Sequence, residues 1–113
     1  MIFITGPLFS GKKEYIMKAL SWTEEEFNEN AVQEAQKLAF ENSDIAALAD
    51  ELCQKAVIIA DEVGGGVIPV DSREREARER AGRLCCLLAE KADTVIRVYM
   101  GIPQVLKGKE IEG

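Results

Sequence analysis

At 113 residues the chain has room for one small domain with one modest core. Hydrophobic residues make up 47% and charged residues 30%, an ordinary globular mix, and no apolar run approaches the ~18 residues that cross a bilayer, so a membrane protein is not expected. The net charge of −6 argues against general nucleic-acid binding, which rests on a basic surface that neutralises phosphates.

The first apolar stretch, Met1 to Ile4, is short and follows no basic residue, so a secretory signal is not expected and a cytoplasmic location is. Ile2 to Thr5 reads as a buried strand feeding a loop that begins at Gly6 and ends at Gly11-Lys12. A helix is predicted from about Lys12 to Leu20, with Tyr15, Ile16, Ala19 and Leu20 inward. Thr23 and Glu26 form the sequence signature of a capping box. Phe27, Ala31, Ala35 and Leu38 then recur at helical spacing and predict one second helix. Asn42-Ser43 interrupts it, and Ser43 is expected to cap a third helix with the stripe Ile45, Leu48, Ala49 and Leu52.

Ala56 to Ala60 is β-branched and reads as a central strand buried on both faces. It runs into Asp61-Glu62-Val63 and three consecutive glycines, Gly64 to Gly66, a turn that needs unusual backbone angles or close approach. Val67-Ile68-Pro69-Val70 reads as an extended link. Asp71 or Ser72 caps a fourth helix over about Arg73 to Lys91, whose inner stripe is Ala77, Ala81, Leu84, Cys85 and Leu88. Its pairs Glu74–Arg78, Glu76–Arg80 and Glu79–Arg83 run in the favourable direction, each worth ~0.3 kcal/mol when exposed. Thr94 to Met100 is a third core strand, and Gly101 to Gly108 a turn into a short edge strand carrying Pro103. Strands alternating with helices predict an α/β fold: one domain over 1–113, with a small, mostly parallel sheet flanked by helices.

The chain contains no histidine, which removes His-based triads, an imidazole base and phosphohistidine intermediates. Cys53, Cys85 and Cys86 lack zinc spacing and read as reduced thiols, the latter two as small core hydrophobes.

Strand, Gly6-x-x-x-x-Gly11-Lys12, helix is the layout of a phosphate-binding P-loop. Such a loop turns successive backbone N–H groups toward one concavity at a helix N-terminus. Gly6, Pro7, Leu8, Phe9, Ser10, Gly11, Lys12 and Lys13 are therefore the candidate nucleotide-binding residues, and Lys12 carries full charge to the outer phosphates of ATP or GTP. No base-reading motif separates the two nucleotides. Lys13 stands where a Ser or Thr would hold Mg²⁺; it cannot ligate the metal, though it could pair with phosphate. Asp61 and Glu62 are the candidate metal-holding carboxylates, and Lys12 and Glu62 the candidate catalytic residues, with Glu62 as base. An exposed acidic turn is the plainer account of Asp61-Glu62.

Together these residues resemble the bifunctional adenosylcobinamide kinase / adenosylcobinamide-phosphate guanylyltransferase family of cobalamin biosynthesis. The similarity lies in residues 1–20 and 55–109: the opening Ile2-Phe-Ile-Thr-Gly-Pro-Leu-Phe-Ser-Gly-Lys12, the more specific Asp61-Glu-Val-Gly-Gly-Gly-Val-Ile-Pro69, then Arg75, Arg78, Ala81-Gly82-Arg83, Ala92-Asp93 and Ile102-Pro103-Gln-Val-Leu-Lys107-Gly108. The resemblance implies a RecA-like P-loop NTPase fold, often trimeric. It also implies phosphorylation of a cobinamide hydroxyl by a nucleoside triphosphate, followed by guanylyl transfer through an enzyme histidine. Residues 21–55 resemble a short helical replacement of a longer family segment that carries that histidine, so the guanylyltransferase half is excluded. Asp61 stands where the family has Asn. Three readings follow: a nucleotide-binding protein without turnover, a minimal ATP- or GTP-dependent kinase acting on a corrinoid, or a non-catalytic interaction protein. A homo-oligomer is compatible with each.

Overall fold

The computed structural model describes residues 1–62 and 71–111. The Gly64–Gly66 turn, Val63 and the link to Val70 lie outside the described residues. In chain order the elements are β1 (Ile2–Gly6), α1 (Lys12–Leu20), α2 (Glu24–Asn30), β2 (Ala31–Val32), α3 (Ala35–Phe40), α4 (Ile45–Leu52), β3 (Val57–Asp61), α5 (Ser72–Lys91), β4 (Thr94–Tyr99) and β5 (Ile102–Lys107). The sheet order is β2-β3-β1-β4-β5, parallel except for the antiparallel β4–β5 pair. This is the expected α/β architecture, a mostly parallel sheet between helices.

Side-chain alternation along the strands divides the core in two. Phe3, Ile58 and Val95 sit in register and pack with Ala39, Leu48, Leu52, Leu84 and Leu88 from α3, α4 and α5. Ile4, Ile59 and Ile96, one residue further on, face the opposite way and pack with Ile16 of α1 and Phe27 of α2. Each fully buried large aliphatic side chain contributes about 2–3 kcal/mol. Ile4, Ile16, Ile58, Leu84, Leu88 and Ile96 are all in that state. Connections toward the β2 edge use one face and those toward β4 the other, as right-handed crossovers require.

The predicted second helix is two helices with a strand between them. Thr23 and Glu26 do close a capping box. The helix stops at Asn30 because the open edge of β3 offers a better partner. The Ala56 amide donates to the Asn30 carbonyl at 3.1 Å, and Ala31 and Val32 pair with Val57 and Ile58. Backbone hydrogen bonds lost from the helix are thus recovered across the sheet. Glu34 then takes a left-handed φ of 53° before α3, and Leu38 is left largely exposed. The α4 cap is Asp44, not Ser43, with its carboxylate accepting from the Ala47 amide. Asp71 caps α5 through the Glu74 amide.

Of the charge pairs expected on α5, Glu74–Arg78 forms at 3.3 Å. Arg80 instead reaches across to α3 and donates to the Ala39 and Phe40 carbonyls at 3.0 and 2.6 Å. The Ala39 carbonyl already accepts from the Glu41 and Asn42 amides at the end of α3, and Arg80 adds a charged donor to it and to the Phe40 carbonyl, where a pairing with Glu76 would lie in water. Among the described residues no helix is long and apolar enough to cross a membrane.

Candidate functional site

Gly6, at the end of β1, is in register with Asp61, at the end of β3. The carboxyl ends of parallel strands are where open α/β sheets place ligands. From Gly6 the chain loops through Pro7, Leu8, Phe9 and Ser10 to Gly11 and enters α1 at Lys12.

The loop is fixed at both shoulders. The Gly6 carbonyl accepts from the Glu62 amide at 2.9 Å, and the Ser10 carbonyl accepts from the Gly101 amide at 2.8 Å. Gly6 has φ 152°, and a Cβ there would lie 2.2 Å from the Val98 carbonyl oxygen of β4. Only glycine fits this approach. Gly11 has φ 84° and is the N-cap of α1, with no side-chain cap. The first-turn amides of α1 are therefore open to an external acceptor, unlike the side-chain-capped starts of α2, α4 and α5. Phe9 also holds a left-handed φ of 58° with its ring 96% exposed at the lip of the loop.

Lys12 is the centre of the site. Its side chain is only 6% exposed and folds over the loop from inside. The ammonium donates to the Pro7 carbonyl at 2.6 Å, to Ser10 Oγ at 3.3 Å and to the Gly6 carbonyl at 3.4 Å. It pairs with Asp61 Oδ1 at 2.6 Å. Asp61 is held from the other side by Gln36 of α3: Gln36 Nε2 donates to Asp61 Oδ2 at 3.2 Å, and the Asp61 amide donates to Gln36 Oε1 at 3.0 Å. Burying a charge requires such complete pairing.

The two remaining charged candidates point elsewhere. Lys13 pairs with Glu24 of α2 at 3.0 Å and lies 5.1 Å from the Phe27 ring centroid. Glu62 accepts two hydrogen bonds from Arg97 of β4, at 2.5 and 3.2 Å, and Arg97 also stacks over Tyr99. Both oxygens of Asp61 and both of Glu62 are thus engaged by nitrogen donors. Among the described residues no group of three or more acidic or thiol side chains could hold a metal ion. The residues present do not fit Mg²⁺ in this arrangement, consistent with Lys13 in place of a hydroxyl ligand.

A cleft of about 220 Å³ opens above the loop, lined by Phe9, Lys12, Lys13, Glu34 and Asp61 among others. A second of about 520 Å³ lies between α1 and the β4–β5 turn, lined by Gly11, Glu14, Tyr15, Lys18, Ala19 and Gly101. Burial, and then the Glu110 carboxylate, push the Tyr15 hydroxyl up, so it stays a neutral hydrogen-bonding group.

The sequence motif named Gly6, Gly11, Lys12, Asp61 and Glu62, and the fold brings all five to one end of the sheet. Gln36, Arg97 and Gly101 carried no local signal, because each meets the site only through tertiary pairing.

Residues 18–106 match the family model described as cobinamide kinase / cobinamide phosphate guanyltransferase. The match runs through residues 21–55 and begins after the Gly6–Gly11 loop. No curated protein matches the chain. With most of its length in that match, the chain belongs to the cobinamide kinase / cobinamide phosphate guanyltransferase family.

Proposed function

We propose that this chain is a P-loop, RecA-like member of its family that binds the phosphates of ATP or GTP in the Gly6–Lys12 loop without requiring Mg²⁺ and without the guanylyltransferase half. The observation that carries this reading is the buried Lys12 ammonium, held inside a loop whose two glycines adopt backbone angles that side chains resist. A lysine on an apolar core would snorkel to water. This one turns inward, next to first-turn amides that have no side-chain cap. The absence of histidine leaves guanylyl transfer through an enzyme histidine with no acceptor in this chain.

Family membership favours a second reading, a kinase acting on a cobinamide hydroxyl. Glu62 would then have to leave Arg97 to take the hydroxyl proton.

Titration calorimetry with GTP and ATP, with and without Mg²⁺, tests the first reading. The comparison is wild type against Lys12→Gln, which keeps a donor for Asp61 and removes the charge. Micromolar binding in EDTA that is lost in Lys12→Gln is the expected result. Binding that appears only with Mg²⁺ supports the kinase, and a phosphorylation assay on cobinamide follows. No binding by wild type in either condition overturns both.

A further inference from the structure

Asp61 is neither exposed nor loosely placed. Its side chain is 15% exposed, its Oδ1 lies 2.6 Å from the Lys12 ammonium, and Gln36 fixes both its other oxygen and its backbone amide. Gln36 is itself 5% exposed, one of three buried polar side chains among the described residues; Ser10 and Lys12 are the others. Ser10 Oγ touches the Lys12 ammonium, and Gln36 holds the carboxylate paired with it, so the three converge on the group an outer phosphate would meet. A carboxylate and a phosphate are both oxyanions and meet an ammonium with the same charge-assisted geometry. One ammonium buried in this way cannot serve both fully.

We infer that Asp61, clamped by Gln36, is a resident competitor for the phosphate position on Lys12, so that triphosphate binds by displacing this carboxylate and the clamp sets the affinity. The inference rests on the nucleotide-binding reading above. It gives the helical segment a role: α3 delivers Gln36 to the site. It also assigns Asp61 a role opposite to that of a metal ligand. A metal-holding Asp61 strengthens nucleotide binding, whereas a competing Asp61 weakens it.

Removing the charge frees the ammonium and ends the repulsion between carboxylate and phosphate. Asp61→Asn keeps the shape and an acceptor for Gln36. Its affinity for GTP and for inorganic tripolyphosphate, measured by calorimetry in EDTA, is expected to rise at least tenfold, or about 1.4 kcal/mol. Gln36→Met, which keeps the volume and opens the clamp, is expected to raise affinity several-fold in the wild-type background and to add nothing in Asp61→Asn. That non-additivity marks residues acting through one another. A merely structural Gln36 would lower affinity and melting temperature in both backgrounds, which overturns its part in the inference.

If wild type binds and Asp61→Asn binds equally or more weakly in EDTA, the competitor is refuted while the nucleotide-binding reading stands. If only Asp61→Asn binds, Asp61 blocks the site outright, and both displacement by triphosphate and the nucleotide-binding reading of the wild-type protein are overturned. If a folded Asp61→Asn, checked by circular dichroism, binds neither probe and wild type does not either, both fall.

Discussion

Gly6→Ala is the sharpest test of how the loop is built. The new methyl carbon would lie 2.2 Å from the Val98 carbonyl oxygen and 3.0 Å from Ser10 Oγ. The first neighbour is backbone in β4, which packs directly against β1, so it cannot rotate away. Two penalties combine. Holding an alanine at φ 152° costs about 1–3 kcal/mol, and forcing the two strands apart at a packed junction costs about 1–3 kcal/mol more. A total near 4 kcal/mol lowers the melting temperature of a domain this size by roughly 15 °C. The same exchange at Gly82 is the control. That glycine lies in α5 with nothing within 4 Å of an added Cβ. Gly82→Ala should therefore stabilise by about 0.5–1 kcal/mol, a rise of roughly 2–4 °C. Differential scanning calorimetry on the two variants decides the matter. A Gly6→Ala protein that melts within about 3 °C of wild type would refute the close approach of loop and strand.

Two further outcomes follow from the helices. Thr23→Ala removes the side-chain acceptor for the Glu26 amide and half of the capping box, and should lower stability by about 1 kcal/mol in chemical denaturation; an unchanged midpoint would mean that the cap is not made in solution. Burial, with a smaller contribution from Cys86, pushes the Cys85 thiol up to about 11 from 9.0. Cys85 therefore stays protonated in the folded chain while the unfolded chain ionises, so its contribution to stability is intact below pH 9 and is lost as pH rises through about 11. Iodoacetamide at mildly alkaline pH should label exposed Cys86 well before Cys85, read by peptide mass spectrometry. Equal labelling rates would show that α5 opens.

The legible parts of the fold are those set by local pattern. The apolar strand runs over Ile2–Thr5 and Thr94–Met100, the stripe Ile45, Leu48, Ala49 and Leu52, and the Thr23–Glu26 box all act within a few residues, and the structure keeps them as β1, β4, α4 and the α2 cap. What was hidden depends on neighbours distant in sequence. Ala31 fits the helical period between Phe27 and Ala35, yet β3 recruits it as an edge strand. Arg80 has a helical partner four residues before it and prefers two carbonyls of α3. The site follows the same rule. Its motif named Lys12 and Asp61 as separate actors, one for phosphate and one for metal. Their mutual neutralisation depends on the β1–β3 register, and the clamp depends on Gln36, a residue of α3 with no sequence mark.

That neutralisation has a consequence for ionic strength. Most phosphate sites draw their ligand in with a basic field, and salt weakens them. Here two lysines, Lys12 and Lys13, share the loop cleft with three carboxylates, those of Glu14, Glu34 and Asp61. Lys13 is further countered by Glu24, and the whole chain carries −6. A triphosphate approaching this cleft meets a net negative surface until its outer oxygens reach the Lys12 ammonium and the first-turn amides of α1. The long-range part of the interaction is repulsive and screened by salt. The short-range part is attractive, shielded by burial, and hardly screened at all. Raising KCl from ~50 to ~300 mM, which shortens the Debye length to below ~10 Å, should therefore leave GTP affinity unchanged or improve it in metal-free calorimetry. A tenfold loss over that range would show that binding is governed by an attractive basic field elsewhere on the surface, and the loop would not be where the phosphates go.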